Sequence, residues 1–133
     1  MTSSAAIDVV RAHYDAIRQR DRAAVLATVA DDVDWQLTGP TIIPFAGSHK
    51  GRAAVATFLA TIAASVEVLA FDIERMIADG DTVVVFGREH FRVRATGRAW
   101  NAEWVQVHTV RDGVISRFRE YTDTAAIAAA YDA

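Results

Sequence analysis

The chain has 133 residues, 52% of them hydrophobic and 23% charged, which predicts one globular domain over residues 1–133 with a core that needs no staples. A net charge of −3 argues against nucleic acid as the main partner, and the lack of cysteine removes disulfides, thiol nucleophiles and Cys-based metal sites. The start Met1-Thr2-Ser3-Ser4 has neither a basic stretch nor a long apolar run, and no apolar run reaches the length of a membrane span, so a cytoplasmic protein with no membrane partner is expected.

In chain order, Ser3 or Ser4 can cap a first helix, in which Ile7, Val10, Tyr14 and Ile17 recur at helical spacing. Asp21 caps a second, shorter helix that runs through Val29 and ends at Asp31-Asp32. Residues 33–37 read as a short strand, and Thr38-Gly39-Pro40 with Pro44-Phe45-Ala46-Gly47 frame an irregular loop. A third helix starts near Gly51-Arg52 and carries Val55, Phe58, Leu59 and Ile62 on one stripe. The hydrophobic period then changes to two. Strands are predicted over 67–78, 82–94, 99–111 and 114–122, separated by Asp79-Gly80-Asp81, Thr96-Gly97-Arg98 and Asp112-Gly113, all good hairpin turns. Asp123 caps a short Ala-rich helix over 124–131. Three helices before a long-stranded meander predict an α+β fold. It is a cone-shaped fold with three N-terminal helices packed on a curved antiparallel sheet and a short C-terminal helix.

Two carboxylates are out of place in this pattern. In residues 83–94 one strand face carries Val84, Phe86, Arg88, His90, Arg92 and Arg94. The other carries Val83, Val85, Gly87, Glu89, Phe91 and Val93, and is apolar except for Glu89. On the last strand Arg117 and Arg119 want water, which turns Phe118 and Glu120 inward. A carboxylate on an apolar face is costly unless it is paired, protonated or lining a cavity. Glu120 and Glu89 therefore point to a polar site inside a hydrophobic pocket. Glu120 is the first candidate for a catalytic acid or base, with a structural salt bridge to a helix residue as the alternative. Glu89 is the candidate to share a proton with it, with Arg88 or Arg98 as its alternative partner.

The order of elements resembles the SnoaL-like branch of the nuclear transport factor 2-like superfamily over nearly the whole chain. The strongest local matches are the run Arg111-Asp112-Gly113-Val114-Ile115-Ser116-Arg117-Phe118-Arg119-Glu120-Tyr121-Thr122-Asp123 and Pro44-Phe45-Ala46-Gly47 leading to Gly51-Arg52. The resemblance implies the cone fold, and a site used elsewhere for isomerisation, cyclisation, epoxide hydrolysis, dehydration or plain binding. It implies an acid at Glu120, as in SnoaL-like cyclases and limonene-epoxide hydrolases, with Asp123 opening the C-terminal helix. The hydrolases' second acid falls on Glu89, their bridging arginine on Gly87, and their water-holding Tyr and Asn on Trp35 and Leu37. Beside ketosteroid isomerases, Tyr14 lies near the helix-1 tyrosine, while their general base falls near Gln36.

An aromatic pocket wall is predicted from Trp35, Phe58, Phe71, Phe91, Trp104 and Phe118, each with ordinary core packing as its alternative. Tyr14, Leu37 and Gln106 join the candidate substrate-binding residues, and Gln106 can orient a carbonyl or a water. His13 is expected to face out, His49 to sit in a lid-like loop, His90 to lie on the Arg-rich outer face and His108 to be a rim or core residue. No spacing of the His-Glu-x-x-His kind and no phosphate-binding glycine pattern occurs, so neither a metal nor a cofactor is expected. Val84, Phe86, Val105, Val107, Thr109, Ile115 and Tyr121 on the outer sheet face predict a homodimer, which the resemblance implies is built back to back. The expected function is cofactor-independent acid–base catalysis on a small apolar molecule bearing a carbonyl or epoxide, of isomerase, cyclase or hydrolase type. The alternative is a non-catalytic binding protein for an apolar metabolite.

Overall fold

The computed structural model describes residues 2–133. Helix α1 (Ser3–Arg18) is capped by Thr2, whose hydroxyl accepts from the Ala5 amide at 3.1 Å. The expected caps Ser3 and Ser4 lie inside the helix, and Ser3 Oγ instead accepts from the Gly80 amide at 2.9 Å. Asp21 caps α2 (Arg22–Ala27) as expected. That helix stops short of the predicted Val29, because the Thr28 hydroxyl turns back onto the Val25 carbonyl at 2.6 Å. Strand β1 (Val29–Leu37) starts there, so Asp31 and Asp32 are strand residues rather than a helix end, and Asp31 pairs with Arg52 at 2.6 Å.

The predicted irregular loop contains a short strand, β2 (Gly47–Lys50), paired antiparallel with β1. Its Gly-Ser-His-Lys sequence carries no apolar alternation, so nothing in the hydrophobic pattern marks it. Helix α3 (Arg52–Ser65) follows Gly51, which sits at φ 89. The meander is then β3 (Val66–Asp79), β4 (Thr82–Val93), β5 (Ala99–Arg111) and β6 (Val114–Thr122), followed by α4 (Thr124–Tyr131), which Asp123 caps through the Ala126 amide at 3.0 Å.

The strand order is β2-β1-β6-β5-β4-β3. The meander is antiparallel, and β1 joins it by lying parallel to β6. Register shifts in β3–β4 and in β5–β6 insert extra residues that bend the strands, giving an open curved sheet. One of these bulges corrects an expectation. Val110 faces Ile115 and Thr109 faces Arg117, so Ser116 is an extra residue. The phase slips there, and Ile115, expected on the outer face, is 0% exposed inside the core.

The helices cover the concave face unequally. Helix α1 packs on β3, β4, β5 and β6, whereas α3 packs on β1, β2 and β3, at the two flanks of the sheet. Beneath α1 the core is filled by Val10, Tyr14, Val83, Val85, Trp104, Val110 and Ile115. A second cluster, built on Trp35, Leu37, Phe58, Phe91, Phe118 and Ile127, walls the remainder. No helix among the described residues is long and apolar enough to cross a membrane.

Candidate active site

The alternation of β4 holds residue by residue. Val83, Val85, Gly87, Glu89, Phe91 and Val93 are all buried, and Glu89 is only 5% exposed. Its partner is neither Arg88 nor Arg98. The Trp100 indole N–H donates to Glu89 Oε2 at 2.7 Å, and Arg88 turns outward to Glu103. On β6, Glu120 lies opposite Gln106 and beside Leu37. Gln106 Nε2 donates to Glu120 Oε1 at 2.7 Å, and Glu120 forms no ion pair among the described residues.

Behind Gln106 runs a chain of polar groups with a defined direction. The Tyr14 hydroxyl donates to Gln106 Oε1. Its oxygen is then free to accept from His108 Nε2 at 2.8 Å. His108 Nδ1 has no partner, which agrees with a neutral ring protonated on Nε2. The order is therefore His108 to Tyr14 to Gln106 to Glu120, each donating to the next, and the Gln106 amide is fixed with its N–H groups toward the carboxylate.

The electrostatics follow from burial. Glu89 is raised to about 8, first by desolvation and then by the charge of Glu120, while its bond from Trp100 opposes the shift. Glu120 is raised to about 7 by desolvation, against the stabilising bond from Gln106. The two carboxyls interact and titrate as a pair that holds a proton at neutral pH. Burial, and then Glu120, raise the Tyr14 phenol, so Tyr14 stays a donor. Burial, and then His13, push His108 well down, so it stays neutral.

These groups face a cavity of about 870 Å³. Trp35, Leu37, Phe58, Phe91, Gln106 and Phe118 line it with both carboxylates, as does Phe71. The Trp35 ring stacks on Phe118 with 3.7 Å between centroids and meets Phe58 edge to face. Two predicted lining residues stand behind the wall instead. Tyr14 supports Gln106, and Trp104 stacks between Tyr14 and Phe71. Trp104 lies across Gly87, where any Cβ would overlap its indole ring. A glycine at 87 is thus what lets this indole lie flat on the strand. Glu120 also borders a smaller cleft of about 290 Å³ with Gln36, Thr38, Arg119 and Thr124.

His13 corrects an expectation. It is 1% exposed, lines the cavity and bonds through Nδ1 to the Thr28 hydroxyl at 2.8 Å. Burial lowers it to about 4, so it is neutral. The signal was present, since His13 lies three residues after Val10 and four before Ile17, on the buried stripe. His49 is fixed in β2, with Nε2 at 2.9 Å from the Phe45 carbonyl and its ring against Phe58, rather than in a lid-like loop. His90 lies opposite Asn101 on the outer face, and His108 is a core residue. Among the described residues no three His, Asp or Glu side chains are grouped to hold a metal ion.

A family model described as a SnoaL-like domain matches residues 10–118. No match is found among curated proteins. Among solved structures, the chain is similar to an NTF2-like protein of Burkholderia xenovorans LB400, with 33% identity, 99% of each chain covered and a TM-score of 0.90. It is similar to TerC co-crystallised with polyporic acid, at 26% identity over 97% of this chain and 99% of that one, with a TM-score of 0.82. An LEH-like epoxide hydrolase of M. tuberculosis shares the fold, at 24% identity over 93% of this chain and 86% of that one, with a TM-score of 0.74.

Proposed function

Given that the chain belongs to the SnoaL-like domain family, we propose that it is a cofactor-independent enzyme that moves a proton on an apolar, carbonyl-bearing small molecule. The observation that carries this reading is the pairing of two differently held carboxyls on one cavity wall, Glu120 by Gln106 and Glu89 by Trp100. Such environments divide acid and base roles between like groups. Glu120, the more easily ionised, takes a proton from the carbon next to the carbonyl. Glu89, with Oε2 occupied by Trp100, carries its proton on Oε1 and donates it to the developing enolate oxygen. Return of a proton from Glu120 to a different carbon, as the enol O–H gives its proton back to Glu89, completes an isomerisation; attack of the enol on a second carbonyl would instead close a ring, the new alkoxide taking the proton from Glu120 while the enol proton returns to Glu89. Gln106, braced by Tyr14 and His108, holds Glu120 in place between steps.

This reading is favoured over epoxide opening by three residues. Gly87 stands where the hydrolase resemblance puts an arginine, and Trp35 and Leu37 stand where it puts groups that hold water. TerC, co-crystallised with polyporic acid, supports a small-molecule ligand. The test is solvent-deuterium exchange at the α-carbon of a panel of cyclic ketones, followed by NMR. Wild type should accelerate exchange for at least one member, and Glu120→Gln should lose about 10²–10⁴ of that acceleration. Equal exchange by both proteins would refute the assignment. The absent arginine at 87 also supports a second reading, a non-catalytic binding protein in which Gln106 and Glu120 anchor a polar tip. Tight binding of a ketone with no exchange in wild type would select it. Tyr121, 61% exposed among Val84, Phe86, Val105 and Val107, supports a homodimer through the outer face, which Tyr121→Glu should weaken in sedimentation experiments.

A further inference from the structure

The lining of the large cavity divides by exposure. Trp35, Leu37, Phe58, Glu89, Gln106 and Phe118 are interior, whereas Arg18, Arg20, Arg22, Glu67 and Arg94 are exposed and so form its mouth. The charges at this mouth do not cancel. Glu67 is taken by Arg92 at 3.0 Å, and Arg18 leans on Asp15 at 3.5 Å. Arg20, Arg22 and Arg94 form no side-chain hydrogen bond or ion pair among the described residues. A local excess of three guanidinium groups stands on a chain whose net charge is −3.

Arg20 adds an observation of a different kind. It follows the C-cap Gln19 of α1 and sits at φ 56, in the left-handed region. The Asp21 amide reaches back to the Ala16 carbonyl at 3.1 Å, and the Arg20 amide to Ile17 at 3.0 Å. This is a helix-ending motif in which glycine is the favoured residue. An arginine there gives up local stability and sets a cation at the cavity entrance.

We infer that the substrate is an amphiphilic anion, with an apolar body inside the cavity and one acidic group, such as a carboxylate, sulfonate or phosphate, held at the mouth by Arg20, Arg22 and Arg94. This deepens the proposed function and rests on the same cavity being the substrate site. The arrangement keeps the anionic end in water beside the guanidinium groups, away from Glu120 and Glu89, whose charges would repel it. An acidic group at the mouth also fixes which end of the molecule enters, so the reactive carbon is presented to Glu120 in one orientation.

A matched pair of fluorescent probes tests this without the natural substrate. 8-Anilinonaphthalene-1-sulfonate and N-phenyl-1-naphthylamine share one apolar skeleton and differ by the sulfonate. Wild type should bind the sulfonate about tenfold more tightly at low ionic strength, and high salt should erase most of that preference. Arg20→Gln/Arg22→Gln/Arg94→Gln should bind the two probes alike, with the affinity for the neutral probe kept within about twofold. Arg98→Gln/Arg111→Gln/Arg117→Gln makes the same change in net charge away from the mouth and should keep the preference. Arg20→Gly alone should raise the melting temperature by about 3 °C while lowering the preference. No preference in wild type, or equal loss in both triple variants, would overturn the inference. Because these readouts are equilibrium binding with both carboxylates intact, they stand or fall separately from the exchange assay on Glu120→Gln.

Discussion

Two halves of one sheet face behave differently here. Beneath α1, Val83, Val85, Val110 and Ile115 are packed solid, with no exposure beyond 1%. Farther along the same strands, Glu89, Phe91, Gln106 and Phe118 look into an open cavity. The strands themselves do not explain the contrast, since β4 alternates without a break through both regions. The helices do. Helix α1 lies across β3, β4, β5 and β6, while α3 packs on β1, β2 and β3, at the two flanks of the sheet. Hydrophobic patterning therefore specifies an inward face, and the helix geometry decides whether that face becomes core or pocket. The titratable groups follow the same division. The seam between the halves holds neutral His13 and His108, and the hollow half holds two carboxyls raised toward neutrality.

The contrast can be broken at several points. The largest expected effect is the catalytic loss in Glu120→Gln, which should leave the packed half untouched and the protein fully folded by circular dichroism. Next comes a matched pair of truncations. Ile115→Ala, in the packed half, should cost about 4 kcal/mol by urea unfolding, whereas Ile62→Ala on the cavity wall should cost about 1 kcal/mol, because its side chain already borders empty space. Equal costs would mean that the hollow half collapses around ligand-free side chains. Gly87→Ala should then cost about 3 kcal/mol, since the new methyl would displace the Trp104 ring.

A smaller effect separates the two halves by pH. The unfolded chain releases the Glu89 proton near 4.5, while the folded chain keeps it to about 8, so this group's stabilising contribution is lost as pH rises between those values. His13 works in the opposite sense. The unfolded ring gains a proton near 6.5 and the folded ring resists until about 4, so its contribution is lost as pH falls through that window. Glu89→Gln should therefore stabilise the protein by about 2 kcal/mol at pH 8 and by nothing at pH 4. A uniform effect across pH would show that Glu89 is ionised in the folded state.

The sequence exposes the polar site more readily than the cavity around it. Glu89 stands out because β4 is a long, unbroken alternation in which one residue has the wrong polarity. Glu120 was legible through its neighbours, since Arg117 and Arg119 leave only one face for Phe118 and Glu120. The inward turn of Ile115 escapes the pattern because a one-residue bulge at Ser116 is invisible to a strict period of two. For His13 the residue type suggests solvent, while its helical spacing points inward. The parallel contact of β1 with β6 joins residues far apart in the chain, and local periodicity carries no information about such pairings. Nor does periodicity reveal that Tyr14 and Trp104 stand behind the pocket wall, because both share the inward stripe with true lining residues.

Gly87 and Trp104 together constrain how this chain can change over time. An arginine at 87, where the hydrolase resemblance has one, requires space that the indole occupies, and a smaller residue at 104 by itself leaves a hole in the packed half. A side chain at 87 thus needs both a smaller residue at 104 and a shift of the β3 backbone at Asp72, whose carbonyl oxygen would lie 2.5 Å from the new Cβ. Enlarging position 87 in the laboratory should therefore begin from a variant already made smaller at position 104.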